Sequence, residues 1–307
     1  MERQNRSIMQ SAINVSSADA KTISTMVAAV SNVAQVVVAD TSSDIDHNRT
    51  VITLFGIGSS LKEAVLRIFA VALDLVDLSR HHGEHPRMGA IDVIPFTPWE
   101  GTQMDECRRI AWETGEAVAN RYSIPVYYYG EAALREDRKD LSNVRRGEYE
   151  LLKDEIGTVS ERRPDYGPPC IHPTLGATAI GARGPLIAFN VNLHSENIDI
   201  AKAIASRVRG GGGGLSAVKA MGVHLQQHGM VQVSMNLLDF RKSAMHQALE
   251  MVKSEARRYG VSVAGCEIIG LVPLEALVDS LSFYLGIPEL SRGKVVEYQL
   301  DRYKRQL

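Results

Sequence analysis

Two hydrophobic periodicities alternate along this chain. Apolar residues that alternate with polar ones predict strands, whereas apolar residues spaced three and four apart predict amphipathic helices. The first half gives the order β-α-β-β-α-β, and the same order returns in the second half. In the first half the predicted elements are strands over residues 8–15, 35–39, 50–55 and 91–96 and helices over residues 18–33 and 61–75. In the second half they are strands over residues 186–193, 218–225, 230–238 and 263–269 and helices over residues 195–207 and 241–259.

The repeated order predicts the fold class. We expect an α/β protein of the α+β sandwich type, with two similar subdomains of split β-α-β type, each having helices on one face of a mixed sheet. The N-terminal subdomain is expected at residues 1–183 and the C-terminal subdomain at residues 184–307, with a cleft or tunnel between them. Ser16 or Ser17 is the expected N-cap of the first helix, and Ser60 that of the second.

The stretch between the two copies carries further elements. Helices over residues 105–121 and 147–154 and a strand over residues 124–130 are predicted there. Residues 165–178 form a Gly- and Pro-rich connector whose sequence is too organised for a plain linker. The glycines at residues 210–214 favour a flexible loop over a phosphate-binding loop, because no Lys-Ser or Lys-Thr pair follows them.

Three predicted strands carry amides on the face opposite their apolar residues. Asn14 lies in the first strand, Asn190 and Asn192 in the strand that opens the second half, and Asn236 in the strand over residues 230–238. Because side chains alternate between the two faces of a sheet, these amides lie on the faces that do not form the core. Asparagine is a poor strand former, so its repeated use favours a ligand-binding face; an ordinary solvated face is the alternative.

Composition narrows the class of protein. The chain of 307 residues is 45% hydrophobic and 23% charged, as is usual for globular proteins, and its formal net charge of −2 argues against nucleic acid as its main partner. No apolar run approaches the ~20 residues of a membrane span, and the N-terminus leads into no apolar signal segment. Cys107, Cys170 and Cys266 are few and widely spaced, which indicates reduced thiols in the cytoplasm.

The densest chemistry lies in residues 78–89, between a predicted helix and a predicted strand. This stretch holds three histidines, a glutamate and two arginines, and Pro86 pushes His85 toward an extended backbone. Three interpretations compete: a metal site, for which no recognised ligand spacing is present; a loop without a chemical role; and a general base at His85. A base needs a carboxylate that fixes its tautomer, and the candidates are Asp40, Asp44 and Asp46.

The same stretch resembles the glutamate formiminotransferase (glutamate formimidoyltransferase) family. The run Ser79-Arg-His-His-Gly-Glu-His-Pro-Arg-Met88, followed by Gly-Ala-Ile-Asp-Val-Ile-Pro-Phe, is a specific signature of that family. The resemblance continues in chain order through residues 46–51, 128–133, 176–183, 188–193, 234–240 and 270–277. In animals the domain is fused to a cyclodeaminase, for which this chain has no room, so a stand-alone formiminotransferase is expected.

The resemblance implies a reaction and its participants. The family transfers the formimino group of N-formimino-L-glutamate to N5 of tetrahydrofolate in histidine degradation, giving 5-formiminotetrahydrofolate and glutamate. It implies tetrahydrofolate as a co-substrate of one-carbon metabolism, no metal, no nucleic acid or membrane partner, and a cytoplasmic homodimer. It places His85 at the family's catalytic histidine and residues 167–176 at its folate-binding connector.

The substrates suit these residues. One imidazole at His85, oriented by Asp44 or Asp46, can take the proton from N5 and give it to the departing glutamate nitrogen. Glutamate carboxylates call for guanidinium groups, and the amide-bearing strand faces suit a pterin edge. The expected substrate- and folate-binding residues are Asn14, Asn48, Arg49, Arg87, Gly167, Pro168, His172, Gly176, Ala177, Thr178, Arg183, Asn190, Asn192 and Asn236.

One motif departs from the family pattern. The family opens with Val-Pro-Asn-Phe-Ser-Glu-Gly, and this chain has Ala12-Ile-Asn-Val-Ser-Ser-Ala18, with Ser17 in place of Glu and Ala18 in place of Gly. If that glutamate contacts the substrate, the activity or the donor differs. The alternatives are therefore a folate-independent hydrolase of formiminoglutamate and a non-catalytic folate-binding protein.

Overall fold

The computed structural model describes residues 7–45, 47–83, 86–225 and 228–304. The chain divides into two compact units, Met1–Arg183 and Gly184–Leu307. The elements of the first unit are β1 (Met9–Val15), α1 (Ala20–Ser31), β2 (Val36–Asp44), β3 (Arg49–Gly56), α2 (Gly58–Leu75), β4 (Ile91–Pro98), α3 (Met104–Tyr122), β5 (Val126–Gly130), α4 (Leu141–Val144), α5 (Glu148–Glu155) and β6 (Thr178–Ala182).

The strands of the first unit form one six-stranded sheet in the order β2-β3-β1-β4-β6-β5. β1 pairs antiparallel with β3 and β4, and β2 pairs antiparallel with β3, whereas β6 runs parallel to both β4 and β5. The carboxyl ends of β1 and β2 and the amino ends of β3 to β6 therefore lie at the same edge of the sheet. The segments that leave this edge contain most of the predicted site residues.

Helices α1, α2 and α3 cover one face of this sheet and complete its main core. Ile13, Ile52 and Phe96 point from the strands into a cluster that includes Phe69 of α2 and Val118 of α3, and all five are buried. Of the apolar stripe predicted for α2, Leu61, Val65, Ile68 and Ala72 are buried, whereas Leu75 at the end of the helix is exposed. The removal of this apolar surface from water is the main term that holds the three helices on the sheet.

The opposite face of the same sheet has two different halves. Over β4, β6 and β5 it is covered by α4, α5 and the segments around them, where Tyr127 and Tyr129 pack with Leu152 and Ile156. Over β1, β3 and β2 it carries polar side chains, because Asn14 and Asp40 alternate with residues of the core face. Of the two short helices on this second face, α5 was predicted at residues 147–154, whereas α4 was not predicted.

The two predicted N-caps are wrong. Helix α1 begins after Asp19, whose Oδ2 accepts a hydrogen bond from the Thr22 backbone N–H at 2.8 Å. Helix α2 begins at Gly58, with Ile57 at the cap position and no side-chain cap, so Ser60 lies inside its first turn. A Cβ at position 58 would lie 2.6 Å from Ile110 Cγ1, so close packing against α3 rather than a capping hydroxyl fixes this end of α2.

Two parts of the sheet were not predicted. The polar run Asp40–Asp44, expected as a loop, continues β2, because it pairs with Arg49–Thr53 of β3 after a register shift between Val38 and Asp40. β6 was missed because it is built from small residues with no visible alternation. A Cβ on Gly181 would lie 2.6 Å from the Tyr129 ring, so the bulk of the neighbouring tyrosine explains the small residue.

The second unit repeats the β-α-β-β-α-β order. Its strands form a four-stranded sheet in the order β10-β7-β9-β8, and every pairing in it is antiparallel, so the mixed sheet is confined to the first unit. Helices α6, α7 and α8 share a core with Phe189, Val233 and their neighbours. The elements are β7 (Ile187–Leu193), α6 (Ile198–Val208), β8 (Val218–Leu225), β9 (Met230–Leu237), α7 (Met245–Arg257), β10 (Val263–Ile269), α8 (Leu274–Leu285) and α9 (Val296–Lys304).

Helices α8 and α9 extend beyond the repeated unit and were not predicted. Within the described part of the chain, none of the helices combines the length and the hydropathy that a membrane crossing requires.

Candidate functional site

Four segments next to one edge of the first sheet contain several of the residues predicted to act. They are residues 16–18 after β1, residues 45–48 between β2 and β3, residues 78–90 before β4, and residues 172–177 before β6. His85 and Asp46, the predicted catalytic base and one of its predicted partners, lie outside the described residues. Near these positions, Asn48 in the turn after β2 contacts His81 and His82 in the loop before β4.

Asp44 ends β2 and binds His47. Its carboxylate accepts hydrogen bonds from the His47 backbone N–H at 2.9 Å and from the His47 ring Nδ1 at 2.8 Å. Partial burial acts to raise the pKa of Asp44, but these hydrogen bonds and the charges of His47 and Arg49 outweigh it, so its pKa is lowered. Among the described residues, the histidine that Asp44 orients is His47.

Asn48 connects three of the four segments. Its backbone is left-handed, with φ +45°, a conformation that asparagine tolerates better than most residues. Its Oδ1 accepts a hydrogen bond from the Ala18 backbone N–H at 2.9 Å, and its Nδ2 donates to the His82 carbonyl oxygen at 2.9 Å. Its own carbonyl oxygen lies 3.0 Å from His81 Nε2. Both polar atoms of the side chain predicted to bind substrate are therefore occupied within the protein.

His81 is a buried, neutral histidine beside the predicted base. A carbonyl oxygen only accepts hydrogen bonds, so the contact with Asn48 requires the proton on Nε2 and leaves Nδ1 as an acceptor. Burial and the neighbouring charges of Arg87 and His82 lower the pKa of His81. Nδ1 is buried and has no hydrogen-bond partner among the described atoms. His81 was not among the predicted site residues, although the sequence shows it in the same histidine-rich stretch.

Arg87 already has acidic partners. Its Nη2 donates to Glu150 Oε1 at 2.8 Å, Glu148 Oε2 lies 3.8 Å from Nη1, and the guanidinium carbon lies 5.9 Å from the centre of the Tyr149 ring. The Arg87 carbonyl oxygen accepts from the Tyr149 backbone N–H at 2.8 Å. These contacts attach the segment that follows His85 to α5. They leave Arg87 less suited to a substrate carboxylate than the sequence suggested.

Asp92 and Arg145 form a buried ion pair next to that segment, and neither was predicted. The Asp92 side chain is 0% exposed, and it binds both the guanidinium of Arg145 and the backbone N–H of Met88, the latter at 2.8 Å. Asp92 lies within the family-like signature, where its neighbours predict only a buried strand. Arg145 comes from the charged stretch near α4, 53 residues later. No periodicity in the sequence links the two.

The connector and the loop before β4 pack against each other. Gly89 and Gly176 form an antiparallel bridge, and the Ala177 backbone N–H donates to the Met88 carbonyl oxygen at 2.9 Å. A Cβ on Gly89 would overlap the carbonyl oxygen of Ala177, so only glycine allows this approach. Thr178 then begins β6. The structure thus brings Gly176, Ala177 and Thr178 next to the loop, as their common assignment requires.

His172 supports the turn that contains Gly176. Its Nδ1 accepts from the backbone N–H groups of Thr174 at 3.3 Å and Leu175 at 3.1 Å, and burial lowers its pKa. Gly176 adopts a left-handed φ of +69°. Gly167 has φ +91° and packs near the carbonyl oxygen of Ile124, before the amino end of β5. Gly167 and the adjacent Pro168 have no described contact with residues 78–90.

Arg49 and Arg183 occupy opposite ends of the sheet. Arg49 begins β3 opposite Asp44, and its Nε is buried without a described hydrogen-bond partner. Burial and the charge of Arg145 lower its pKa, while Asp44 and Asp92 oppose that effect. Arg183 follows the carboxyl end of β6, where its backbone N–H donates to the Phe96 carbonyl oxygen and its charge acts on Tyr129.

The polar half of the sheet face carries two further candidates. Asn14 lies there opposite Val51 of β3 and Val93 of β4. Asp40 lies opposite Thr53, and its Oδ2 is buried without a described hydrogen-bond partner. A buried carboxylate oxygen of this kind is suited to an N–H donor from a ligand. The sequence named Asp40 as a possible histidine partner; its position makes it a candidate for ligand contact instead.

The predicted amide face of the second unit exists as a polar network. Gln232 Nε2 donates to Asn192 Oδ1 at 2.8 Å and to Glu267 Oε2 at 3.2 Å, and Asn192 Nδ2 donates to Glu267 Oε1 at 2.8 Å. Asn190 is nearly buried on the same face, opposite Glu267, whereas Asn236 is exposed. Glu267, not predicted to act, is the acceptor that organises the two amides.

No group of three or more His, Cys, Asp or Glu side chains in the described ranges is arranged to hold a metal ion.

The fold and these contacts define a class: an α/β protein with two split β-α-β units, whose first unit holds a histidine-rich loop beside buried arginines. The formiminotransferase N-terminal subdomain model matches residues 8–183, and the formiminotransferase domain model matches residues 188–299. The chain therefore belongs to the formiminotransferase family.

Named relatives agree with this assignment. The chain is 43% identical to a glutamate formimidoyltransferase of Streptococcus pyogenes serotype M1 over 271 residues, which are 88% of this chain and 90% of the relative. It is 42% identical to the glutamate formimidoyltransferase of Thermoplasma acidophilum, over 89% of this chain and 90% of the relative. A formimidoyltransferase-cyclodeaminase of Sus scrofa is 43% identical over 81% of this chain but only 47% of the relative.

Proposed function

We propose that this protein is a glutamate formimidoyltransferase that moves the formimino group from N-formimino-L-glutamate to N5 of tetrahydrofolate. The products are 5-formiminotetrahydrofolate and glutamate. The observation that carries the proposal is the similarity to glutamate formimidoyltransferases along nine-tenths of their length, at 43% and 42% identity. The loop cluster of the first unit supports it, because its side chains match what the reaction needs.

The reaction needs one proton moved between two nitrogens. N5 attacks the amidine carbon, and the tetrahedral adduct must lose the N5 proton and protonate the glutamate nitrogen before the C–N bond to glutamate breaks. We assign both proton transfers to His85, first as base and then as acid, which contributes roughly 10²–10⁴-fold in rate. Asp46 is retained as a possible carboxylate partner, while Asp44 acts through His47.

Substrate binding is assigned first to two groups whose buried polar atoms have no hydrogen-bond partner among the described residues. Arg49, with its buried unpartnered Nε, is proposed to hold a carboxylate of formiminoglutamate. Asp40, with its buried unpartnered Oδ2, is proposed to accept from an N–H group of a substrate. The connector residues Gly176 to Thr178 and the polar face that contains Asn14 are proposed to contact the folate. Arg183 is proposed to bind another carboxylate of the substrates.

The test is the complete reaction with purified protein. Formation of 5-formiminotetrahydrofolate from both substrates is followed for wild type and for His85→Ala, with His82→Ala as control because its side chain is exposed in the same loop. His85→Ala should lose at least ~10² in kcat with substrate binding kept, and His82→Ala should lose less than tenfold. Full activity in His85→Ala contradicts the assignment.

The same assay decides between the alternatives. Release of ammonia or formamide from N-formimino-L-glutamate in folate-free buffer would identify a hydrolase. Tight tetrahydrofolate binding without transfer would identify a folate-binding protein. A cytoplasmic homodimer is proposed from the family likeness alone, and light scattering of the purified protein tests its oligomeric state.

A further inference from the structure

The turn between β2 and β3 is joined through Asn48 to the loop that precedes β4. Asn48 in this turn has one hydrogen bond to each of two neighbouring segments through its side chain, and a third contact through its carbonyl oxygen. Two of the three contacts reach consecutive residues, His81 and His82, which precede His85 by four and three positions. A small displacement of Asn48 therefore moves the backbone that leads into the proposed base.

Backbone packing reinforces the connection. A Cβ on Gly83 would lie 2.6 Å from the His47 carbonyl oxygen and 2.8 Å from Asn48 Cβ, so Gly83 rests directly on the turn. On the far side of His85, Met88 is held by Asp92 and Gly89 accepts from the Ser16 hydroxyl at 2.7 Å. Both ends of the short stretch that contains His85 are thus fixed to the sheet edge.

Both polar atoms of the Asn48 side chain already bind backbone groups of the protein, which leaves one N–H of Nδ2 and one lone pair of Oδ1. Oδ1 is used by the Ala18 N–H and Nδ2 by the His82 carbonyl, each at 2.9 Å. An aspartate would keep the acceptor but would place a negative oxygen against the His82 carbonyl. A glycine would keep the left-handed backbone but remove both side-chain bonds. The two substitutions therefore separate the role of the backbone from the role of the amide.

We propose that Asn48 is a positioning residue, which sets the loop around His85 through His81 and His82, and is not a group that binds either substrate. This rests on the proposed function only for the identity of His85 as the group that moves the proton. The position of the loop itself can be measured without any reaction.

The first measurement is amide hydrogen exchange without substrate. Asn48→Asp and Asn48→Gly should exchange at least ~5-fold faster in peptides covering residues 78–90, because a lost hydrogen bond of ordinary strength changes the opening equilibrium about fivefold. Gln35→Asp is the matched control: Gln35 is also left-handed (φ +62°), is exposed, and precedes the opposite end of β2. It should leave the exchange of residues 78–90 unchanged.

The second measurement separates positioning from binding. For folded Asn48→Asp, kcat should fall at least tenfold while KM for each substrate stays within threefold, because a misplaced catalytic group lowers kcat. The pH profile of kcat should also shift, which a general loss of stability does not produce. Gly83→Ala disturbs the same contact from the side of the loop. It should therefore also lower kcat while KM for each substrate stays nearly unchanged.

Two results would overturn the proposal. One is a rise in KM for either substrate with kcat unchanged, which means that Asn48 binds that substrate. The other is unchanged exchange over residues 78–90 in both Asn48 variants. If wild type transfers no formimino group, the proposed function fails, and the exchange experiment still decides whether Asn48 positions the loop.

Discussion

The buried pair of Asp92 and Arg145 gives the sharpest test of how the loop before β4 is held. Asp92 is fully buried and serves two partners, the Met88 N–H and the Arg145 guanidinium, whose side chain is 17% exposed. Asp92→Asn keeps an oxygen that can accept from Met88 and removes only the charge. Asp92→Ala removes both contacts and leaves the guanidinium without this carboxylate.

The expected magnitudes follow from burial. A hydrogen bond to a charged group is worth ~1.5–3 kcal/mol, so Asp92→Asn should lower the free energy of unfolding of the first unit by about that amount. Removing one partner of a buried pair costs roughly 3–5 kcal/mol, which is the expectation for Asp92→Ala. The exposed pair of Asp105 and Arg108 is the control, because Asp105→Asn should cost less than ~1 kcal/mol.

The assay can be restricted to the first unit. Both tryptophans of the chain, Trp99 and Trp112, lie in residues 1–183, so tryptophan fluorescence during urea unfolding reports on that unit alone. The free energy of unfolding is compared among wild type, the two Asp92 variants and Asp105→Asn at one pH and salt concentration. If Asp92→Asn is no less stable than Asp105→Asn, the ion pair does not hold the loop and the reasoning from burial is refuted.

Three further predictions concern the site. Arg49→Gln should raise KM for N-formimino-L-glutamate about 10–100-fold, since it removes a charge-assisted contact, and steady-state kinetics checks this against an unchanged KM. Gly89→Ala should lower the urea midpoint or prevent folding, because its Cβ overlaps the Ala177 carbonyl; a wild-type midpoint would contradict it. Because burial lowers the pKa of His172, its contribution to stability is complete above pH ~6.5 and is lost as the pH falls through its lowered pKa, so the unfolding temperature of wild type should drop with acidification more steeply than that of His172→Asn.

The sequence predicted the elements whose signal is their own periodicity. The apolar stripe of α2 and the alternating strands of both halves lie where the pattern indicated, because burial of one face is what the pattern records. The prediction missed β6 because its residues are small. Gly181 must leave space for Tyr129, which lies 52 positions away in the sequence. The prediction also missed the polar end of β2. There the hydrogen-bonded pairing with β3 outweighs the low strand preference of Asp and Ser.

The sequence indicated which side chains carry chemistry at the site, but not which residues they contact. Histidines and arginines gathered within residues 78–89 indicated where proton transfer and anion binding would be placed. Two of the pairings join residues that are distant in the sequence, because Arg87 meets Glu150 and Arg145 reaches Asp92. Asp44 and His47 are only three positions apart, but they lie at the end of β2 and in the turn after it rather than on one helix. Each pairing joins residues that the fold brings together, and only residues three or four apart on one helix can be paired from spacing alone.

The altered first-strand motif illustrates the difference between a backbone contact and a side-chain contact. Ser17 and Ala18 replace the family's Glu and Gly, yet the loop they form is held by its main chain: Thr50 donates to the Ser17 carbonyl oxygen at 2.7 Å, and the Ala18 N–H donates to Asn48. Both contacts are available to other residues at these positions. Within the described residues, the Ser17 hydroxyl accepts a hydrogen bond from the Asp19 N–H in its own loop. The replacements therefore leave the support of the histidine-rich loop in place, and any effect on activity must come from what a glutamate at position 17 would itself have touched.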